Sequence, residues 1–161
     1  MKMDNQEIGD RAELEFKRWL EGKKIPYLYI NQEIETFSDL FKDKLKRPDF
    51  MILLENFGCI LVDVKNKKIQ KEFGTYCIDK AEIRKYSSFQ RKFNLQIWFA
   101  VSNEDYGYKT WFWIPVSKIL ELNLEPRESN KSGEEFFPFP ADEFTQISYN
   151  DSIERLFSKS F

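Results

Sequence analysis

The sequence predicts one α/β (α+β) domain, in which a central mixed β-sheet is flanked by helices. The chain has 161 residues, 42% of them hydrophobic and 17% aromatic, which is enough to bury a single core. An amphipathic helical segment precedes a series of apolar strands, and further helical segments alternate with those strands. This alternation favours a sheet covered by helices.

The first predicted element is an amphipathic helix from Gln6 to about Glu21. Gly22 is predicted to end it. At 100° per residue the apolar positions fall in one stripe about 120° wide. These positions are Ile8, Ala12, Phe16, Trp19 and Leu20.

Two weaker elements follow this helix. The apolar run from Tyr27 to Ile30, after Pro26, predicts a short strand. The segment from Phe37 to Leu45 fits either a short helix or an ordered loop.

A β-hairpin is the clearest predicted motif. Its strands run from Asp49 to Leu54 and from Cys59 to Lys65, and the intervening Glu-Asn-Phe-Gly suits a turn. A three-residue loop would place Asp49 directly opposite Asp63, whereas a two-residue loop would shift the pairing by one. In both cases the two carboxylates are neighbours.

The remaining predicted elements complete the order αβ(α)ββαββα. A helix is predicted over Lys80 to Phe93, because Asp79 and Glu82 have the N-cap and N3 spacing of a capping box. Segments rich in Trp, Phe, Ile and Val predict two more strands, and a last short helix follows. These elements are Gln96 to Val101, Thr110 to Pro115 and Val116 to Leu122.

Three regions are predicted along the chain: a core over residues 1–126, a flexible surface loop over 127–135, and an extension over 136–161 that packs on the core. The Phe-Phe-Pro-Phe-Pro run at 136–140 either contacts a partner or packs back on the domain. The tryptophan-rich strands beyond Gln96 are predicted to be core, with base stacking as the alternative.

The absence of histidine excludes several kinds of chemistry. Ser-His-Asp and Cys-His catalysis, histidine-ligated zinc and histidine general bases all require it. Cys59 and Cys77 have no metal-ligand spacing and are predicted to be buried, reduced thiols. No signal peptide or apolar span is visible, so a soluble, cytoplasmic protein without membrane contact is expected.

The charge is unevenly distributed along the chain. The net charge is −2, yet residues 42–92 hold thirteen Lys or Arg against seven Asp or Glu. A basic middle between acidic flanks is expected if one face meets phosphates, although solvated helix faces explain it equally well.

The candidate site lies at the end of the hairpin away from its turn. Asp63 and Lys65 are two residues apart on a strand and leave the same face, beside Asp49 on the neighbouring strand. Two close carboxylates repel unless a cation lies between them. Hard oxygen ligands without histidine or thiolate select Mg²⁺ or Mn²⁺. The alternative is a set of ordinary charges at strand ends.

Pro48-Asp49, followed after thirteen residues by Asp63-Val64-Lys65, resembles the signature of the PD-(D/E)xK nuclease superfamily. The run Gly9-Asp10-Arg11-Ala12-Glu13, followed by Trp19-Leu20, is similar to the first helix of the branch that contains archaeal Holliday junction resolvases. The resemblance implies a restriction-endonuclease-like αβββαβ core. It also implies that Glu13 is a further metal-binding acid, a choice that helix geometry alone leaves open between Glu13 and Glu15.

The function implied by this resemblance is Mg²⁺-dependent hydrolysis of phosphodiester bonds, in DNA more than in RNA, leaving a 5′-phosphate. Glu13, Asp49, Asp63 and the Val64 carbonyl would bind metal, with Mn²⁺ as a substitute, and Lys65 would assist the attacking water. The expected substrate contacts are Lys67, Lys68 and Gln90. A homodimer is compatible with two-strand cleavage. The alternative function is a catalytically inactive nucleic-acid-binding or protein-interaction module on the same fold.

Overall fold

The structure is a computed structural model that describes residues 4–39, 41 and 45–158. Its α-helices are α1 (Asn5–Gly22), α2 (Lys80–Phe93) and α3 (Val116–Glu121). Its strands are β1 (Tyr27–Tyr29), β2 (Phe50–Leu54), β3 (Gly58–Asn66), β4 (Thr75–Asp79), β5 (Ile97–Ser102), β6 (Thr110–Pro115), β7 (Arg127–Glu128), β8 (Glu135–Pro140) and β9 (Thr145–Ser148). The predicted segment from Phe37 to Leu45 falls partly outside the described residues, which omit 40 and 42–44.

Six strands form the central sheet in the order β1-β2-β3-β5-β6-β9. β3 and β5 are parallel, and every other neighbouring pair in this sheet is antiparallel. The chain reaches β5 from β3 by way of β4 and α2, the long connection that a parallel pair requires. The predicted mixed sheet flanked by helices is confirmed.

Helix α1 covers one face of this sheet. Its N-terminus is stabilised by a capping box, in which the Asp4 carboxylate accepts from the Glu7 amide and Glu7 accepts from the Asp4 amide. The helix was predicted to end at about Glu21, and it extends one residue further, to Gly22. A Cβ at Gly22 would lie 2.7 Å from the Tyr149 hydroxyl, so a larger residue here would have to displace that exposed side chain.

Helices α2 and α3 and a second, three-stranded sheet cover the opposite face. That sheet has the order β4-β8-β7, and none of its strands was predicted. The segment 127–135, expected to be a loop, instead contains β7 and the first residue of β8, joined by a turn.

The prolines of β8 explain why this strand was missed, because proline cannot donate to a strand ladder. The Ala141 amide bonds to Gly74, so the amides of odd-numbered β8 residues face β4. Pro138 and Pro140 therefore face away from β4, at positions that lie beyond the end of β7. The aromatic run packs back on the domain, and Phe139 is fully buried.

Two apolar clusters fill the space on either side of the central sheet. Trp98, Trp111 and Trp113 lie in the cluster beneath α1, which confirms that they are core residues. Both cysteines are free thiols, as predicted, but they are half-buried rather than buried. Within the described part of the chain, no helix has both the length and the apolar character to cross a membrane.

The Phe16 side chain is the centre of an aromatic cluster and is fully buried. Its ring centroid lies 4.8 to 5.9 Å from those of Trp19, Phe50, Trp111 and Trp113. We expect Phe16→Ala to lower the free energy of unfolding by about 3–5 kcal/mol, because it leaves a cavity in this cluster.

Urea denaturation measures this loss, and Ile34→Ala is the control. Ile34 is 73% exposed, so its truncation should change the unfolding free energy by less than about 0.5 kcal/mol. Similar losses in the two variants would contradict the central role of Phe16.

Candidate active site

The register of the β2–β3 hairpin places the two aspartates of the motif side by side. Leu54 pairs with Gly58 and Phe50 pairs with Val62, so the loop has three residues, the longer of the two loop lengths left open by the sequence. The Asp49 amide donates to the Val62 carbonyl, one residue out of this register, so the regular pairing ends at Phe50. Asp49 and Asp63 are neighbours at this end of the hairpin, as predicted for either loop length, and they line the same cleft.

Asp49 also closes the end of the strand ladder with its side chain. Its Oδ2 accepts a hydrogen bond of 2.7 Å from the Val64 amide, for which β2 offers no further backbone partner. The amide and the carbonyl of one strand residue point to the same side. The Val64 carbonyl therefore faces the space beside Asp49 instead of a neighbouring strand.

Asp63 is almost fully buried and is surrounded by donors. The Tyr86 hydroxyl donates to its Oδ1 over 2.7 Å. Lys65 Nζ lies 2.7 Å from Oδ2, and Lys46 Nζ lies 3.2 Å from Oδ1. A buried carboxylate is tolerated only when its charge is compensated, and two ammonium groups provide that compensation.

Glu82 belongs to this cluster, although its spacing from Asp79 indicated a capping role. Asp79 occupies the N-cap position of α2 but makes no capping hydrogen bond with its side chain. Glu82 Oε1 instead lies 2.8 Å from Lys65 Nζ and also pairs with Lys46. The capping interpretation of Glu82 was wrong, because its partners come from distant segments that no local pattern reveals.

Helix α1 brings Glu13 to the same site from the other side of the sheet. The Tyr29 hydroxyl donates to Glu13 Oε2 over 3.0 Å, which ties the carboxylate to β1. Glu15, by contrast, pairs with Arg18 on the outer surface of α1. The structure therefore places Glu13, and not Glu15, beside the two aspartates.

These groups open into one cleft with a volume of about 420 Å³. Its floor and walls come from α1, the segment before β2, and the end of β3. The polar residues that line it are Asn5, Glu13, Lys46, Asp49, Asp63, Lys65, Asn66 and Lys67.

The carboxyl groups of the cleft differ in their affinity for protons. Burial, followed by the charges of Asp63 and Glu13, raises the pKa of Asp49 well above its usual range. Burial also raises the pKa of Glu13. For Asp63, burial acts in the same direction, but the Lys65 and Lys46 ammonium groups outweigh it and lower the pKa. The surroundings therefore favour the charged form of Asp63 and the neutral form of Asp49.

Lys65 is held in its charged form by two carboxylates. Burial alone would lower its pKa, but ion pairs with Asp63 and Glu82 raise it above the usual lysine value. An ammonium group in this position is a donor and a positive charge. It is poorly suited to act as a base.

The predicted substrate contacts are not all brought to the cleft. Lys67 lines it, and Lys68 lies on the exposed surface in an ion pair of 3.2 Å with Asp105. Gln90 is not among the lining residues, because its Oε1 accepts from the Ile97 amide at the start of β5. That contact fixes the end of α2 to the central sheet.

The oxygen-rich chemistry of the cleft fits a hard divalent cation. Glu13, Asp49 and Asp63 contribute carboxylates, and the Val64 carbonyl faces the same space. Burial raises the pKa values of Glu13 and Asp49, and repulsion from neighbouring carboxylates raises them further. Among residues 4–39, 41 and 45–158, no group of three or more Asp, Glu, Cys or His side chains is arranged to hold a metal ion as it stands. One oxygen of Asp63 would have to exchange its lysine for such an ion.

Comparisons with known proteins support the fold. No family model and no curated protein matches the sequence. One similar solved structure is Archaeoglobus fulgidus Hjc, a Holliday junction resolvase from an archaeal hyperthermophile. The TM-score is 0.52 and the sequence identity is 15%, and the match covers 83% of this chain and 90% of that chain. A nuclease from a fusselovirus has a TM-score of 0.51 and 12% identity, over 90% of this chain and 89% of its own.

These likenesses confirm the predicted restriction-endonuclease-like fold. They agree with the resemblance of Pro48-Asp49 and Asp63-Val64-Lys65 to the PD-(D/E)xK signature. The αβββαβ core corresponds to α1, β1, β2, β3, α2 and β5, with β4 added before α2. At this low identity the comparison concerns the fold alone.

Substitution of the two aspartates by asparagine should have unequal effects on stability in the absence of metal. We expect Asp49→Asn to cost less than about 1 kcal/mol, because the raised pKa of Asp49 already favours its neutral form and asparagine can still accept from Val64. Asp63→Asn should cost about 3 kcal/mol or more, because it leaves buried ammonium groups short of a counter-charge.

Urea denaturation in the presence of a chelator measures both losses. Losses of equal size would show that the negative charge is shared between the two aspartates.

Proposed function

We propose that this protein is a metal-dependent nuclease that hydrolyses phosphodiester bonds in DNA. The observation that carries the proposal is the convergence of Glu13, Asp49, Asp63 and Lys65 on one cleft from α1, the start of β2 and the end of β3. The similar solved structures are themselves nucleases, which supports the same class of activity for this fold.

Mg²⁺, or Mn²⁺ in its place, is the cofactor that this donor set would hold. Glu13, Asp49, Asp63 and the Val64 carbonyl are the proposed ligands. A divalent ion in such a site activates a water molecule and neutralises charge on the phosphate. Asp49 would hold the metal through Oδ1, because its Oδ2 accepts a hydrogen bond from the Val64 amide.

Lys65 is proposed to stabilise negative charge on the scissile phosphate. Its ammonium is fixed by Asp63 and Glu82 at 2.7 and 2.8 Å, so it is oriented before substrate binds. Preorganised donors of this kind stabilise the transition state without the cost of reorganisation. Charge stabilisation fits these ion pairs better than removal of a proton from the attacking water.

The basic residues at the rim are proposed to hold the DNA backbone. Lys67 follows the motif strand directly and lines the cleft, and Lys68 is exposed beside it. Phosphate contacts by lysine position the duplex and are independent of base sequence. Gln90 has no place in this proposal, because its side chain is used within the fold.

The activity is tested by incubating the protein with supercoiled plasmid and with single-stranded and branched DNA in the presence of Mg²⁺ or Mn²⁺. We expect cleavage that a chelator abolishes and that falls by at least about 100-fold in Asp49→Asn and Lys65→Met. Cleavage that persists equally in both variants would indicate a contaminating nuclease. Absence of both cleavage and metal binding would leave an inactive module on the same fold.

Glu13 and Glu15 provide a matched pair of controls on one helix. Glu13→Gln should reduce cleavage by at least about tenfold, because it removes a proposed metal ligand. Glu15→Gln makes the same chemical change at a residue paired with Arg18, away from the cleft, and should leave cleavage within about twofold of wild type. Equal effects would remove Glu13 from the site.

A further inference from the structure

Lys46 contributes a second ammonium group to the cleft, although it belongs to none of the motifs in the sequence. Its Nζ lies 3.2 Å from Asp63 Oδ1 and pairs with Glu82 Oε1. It also lies 5.5 Å from the centre of the Tyr86 ring. Asp63 is thus contacted by a different lysine at each of its oxygens.

The charge of Lys46 acts on every carboxylate proposed to bind metal. Burial raises the pKa of Glu13, Asp49 and Asp63 alike, and in each case the Lys46 ammonium opposes that effect. Lys46 also lines the cleft together with Glu13, Asp49 and Asp63, and its Nζ lies on Asp63 Oδ1. Lys46 Nζ is therefore placed in the region that a divalent ion would need.

The backbone on both sides of Lys46 is fixed by packing. The preceding Leu45 is buried at 4% exposure. The following Arg47 donates to the Thr36 and Glu33 carbonyls, and its guanidinium lies 3.5 Å from the centre of the Phe37 ring. The lysine side chain itself is flexible and 32% exposed, so its ammonium can move while these neighbours stay packed.

We propose that the Lys46 ammonium occupies the cation position of the metal-free site and competes with divalent metal for Asp63. Binding of the metal then requires Lys46 to leave, so the apparent affinity is lower than the intrinsic affinity of the carboxylates. Glu82 remains as a partner for the displaced ammonium. The inference rests on the metal dependence proposed above and concerns how that same site is kept charge-balanced until the metal arrives.

The test is calorimetric titration of the full chain with MnCl₂, using wild type, Lys46→Met and Lys46→Gln. Both variants should bind Mn²⁺ about tenfold more tightly than wild type, because no ammonium has to be displaced. Two replacements are used because an apolar side chain in a polar cleft can impair folding. In a chelator, both variants should unfold at lower urea concentration than wild type, since Asp63 and Glu82 lose a counter-charge.

Lys67→Met is the matched control. Lys67 lines the same cleft, so its replacement removes one positive charge there without removing a contact to Asp63. Its effect on Mn²⁺ affinity should stay within about twofold, because charges at the rim are screened by water and salt. An increase as large as that in Lys46→Met would show a general charge effect and would overturn the proposal.

The remaining outcomes separate this proposal from the metal dependence itself. If wild type binds Mn²⁺ and both Lys46 variants bind it equally or more weakly, the competition is disproved and the metal site stands. If only the Lys46 variants bind, the competition is supported in its strongest form. If none of the proteins binds at millimolar Mn²⁺, both the competition and the metal dependence fail.

Discussion

The constraint on which the site depends is the pairing of two buried carboxylates at the open end of one hairpin. The hairpin brings Asp49 and Asp63 together beyond its last regular pair, and the buried position of both prevents water from screening their repulsion. The surroundings ease this conflict by raising the pKa of Asp49 and by placing two ammonium groups on Asp63. Glu82 in turn balances the second of these positive charges. The result is a compact group of charges that is neutralised locally and still faces an open cleft.

The fold supplies each member of this group from a different direction. β2 begins immediately after Asp49, so it offers no backbone partner to the Val64 amide of β3. The Asp49 side chain accepts the hydrogen bond of that amide instead. Helix α1 on one face of the sheet brings Glu13, and helix α2 on the other brings Glu82 and Tyr86. The helices on both faces therefore do more than bury the sheet, since they place acids and donors around the edge towards which the Val64 carbonyl points.

Features governed by local sequence were predicted, and features governed by distant contacts were not. The hairpin and α1 follow from turn residues and periodicity. The bounds of α2, predicted from the spacing of Asp79 and Glu82, were correct to the residue although neither side chain caps the helix. The sheet formed by β4, β7 and β8 was missed, because a polar segment and two prolines conceal strands whose pairing is tertiary. Lys46 and Glu82 were missed for the same reason. Each has an ordinary local explanation, as a basic residue in a connection or as a helix-capping acid, and only the folded chain brings them to Asp63.

The most direct test of this account is a crystal structure with Mn²⁺, in which anomalous scattering locates the ion. The account predicts an anomalous peak at coordination distance from oxygens of Asp49 and Asp63 and from the Val64 carbonyl, with Glu13 turned towards it and Lys46 moved off Asp63. A structure at saturating Mn²⁺ that has no peak in the cleft and retains both lysines on Asp63 would contradict it.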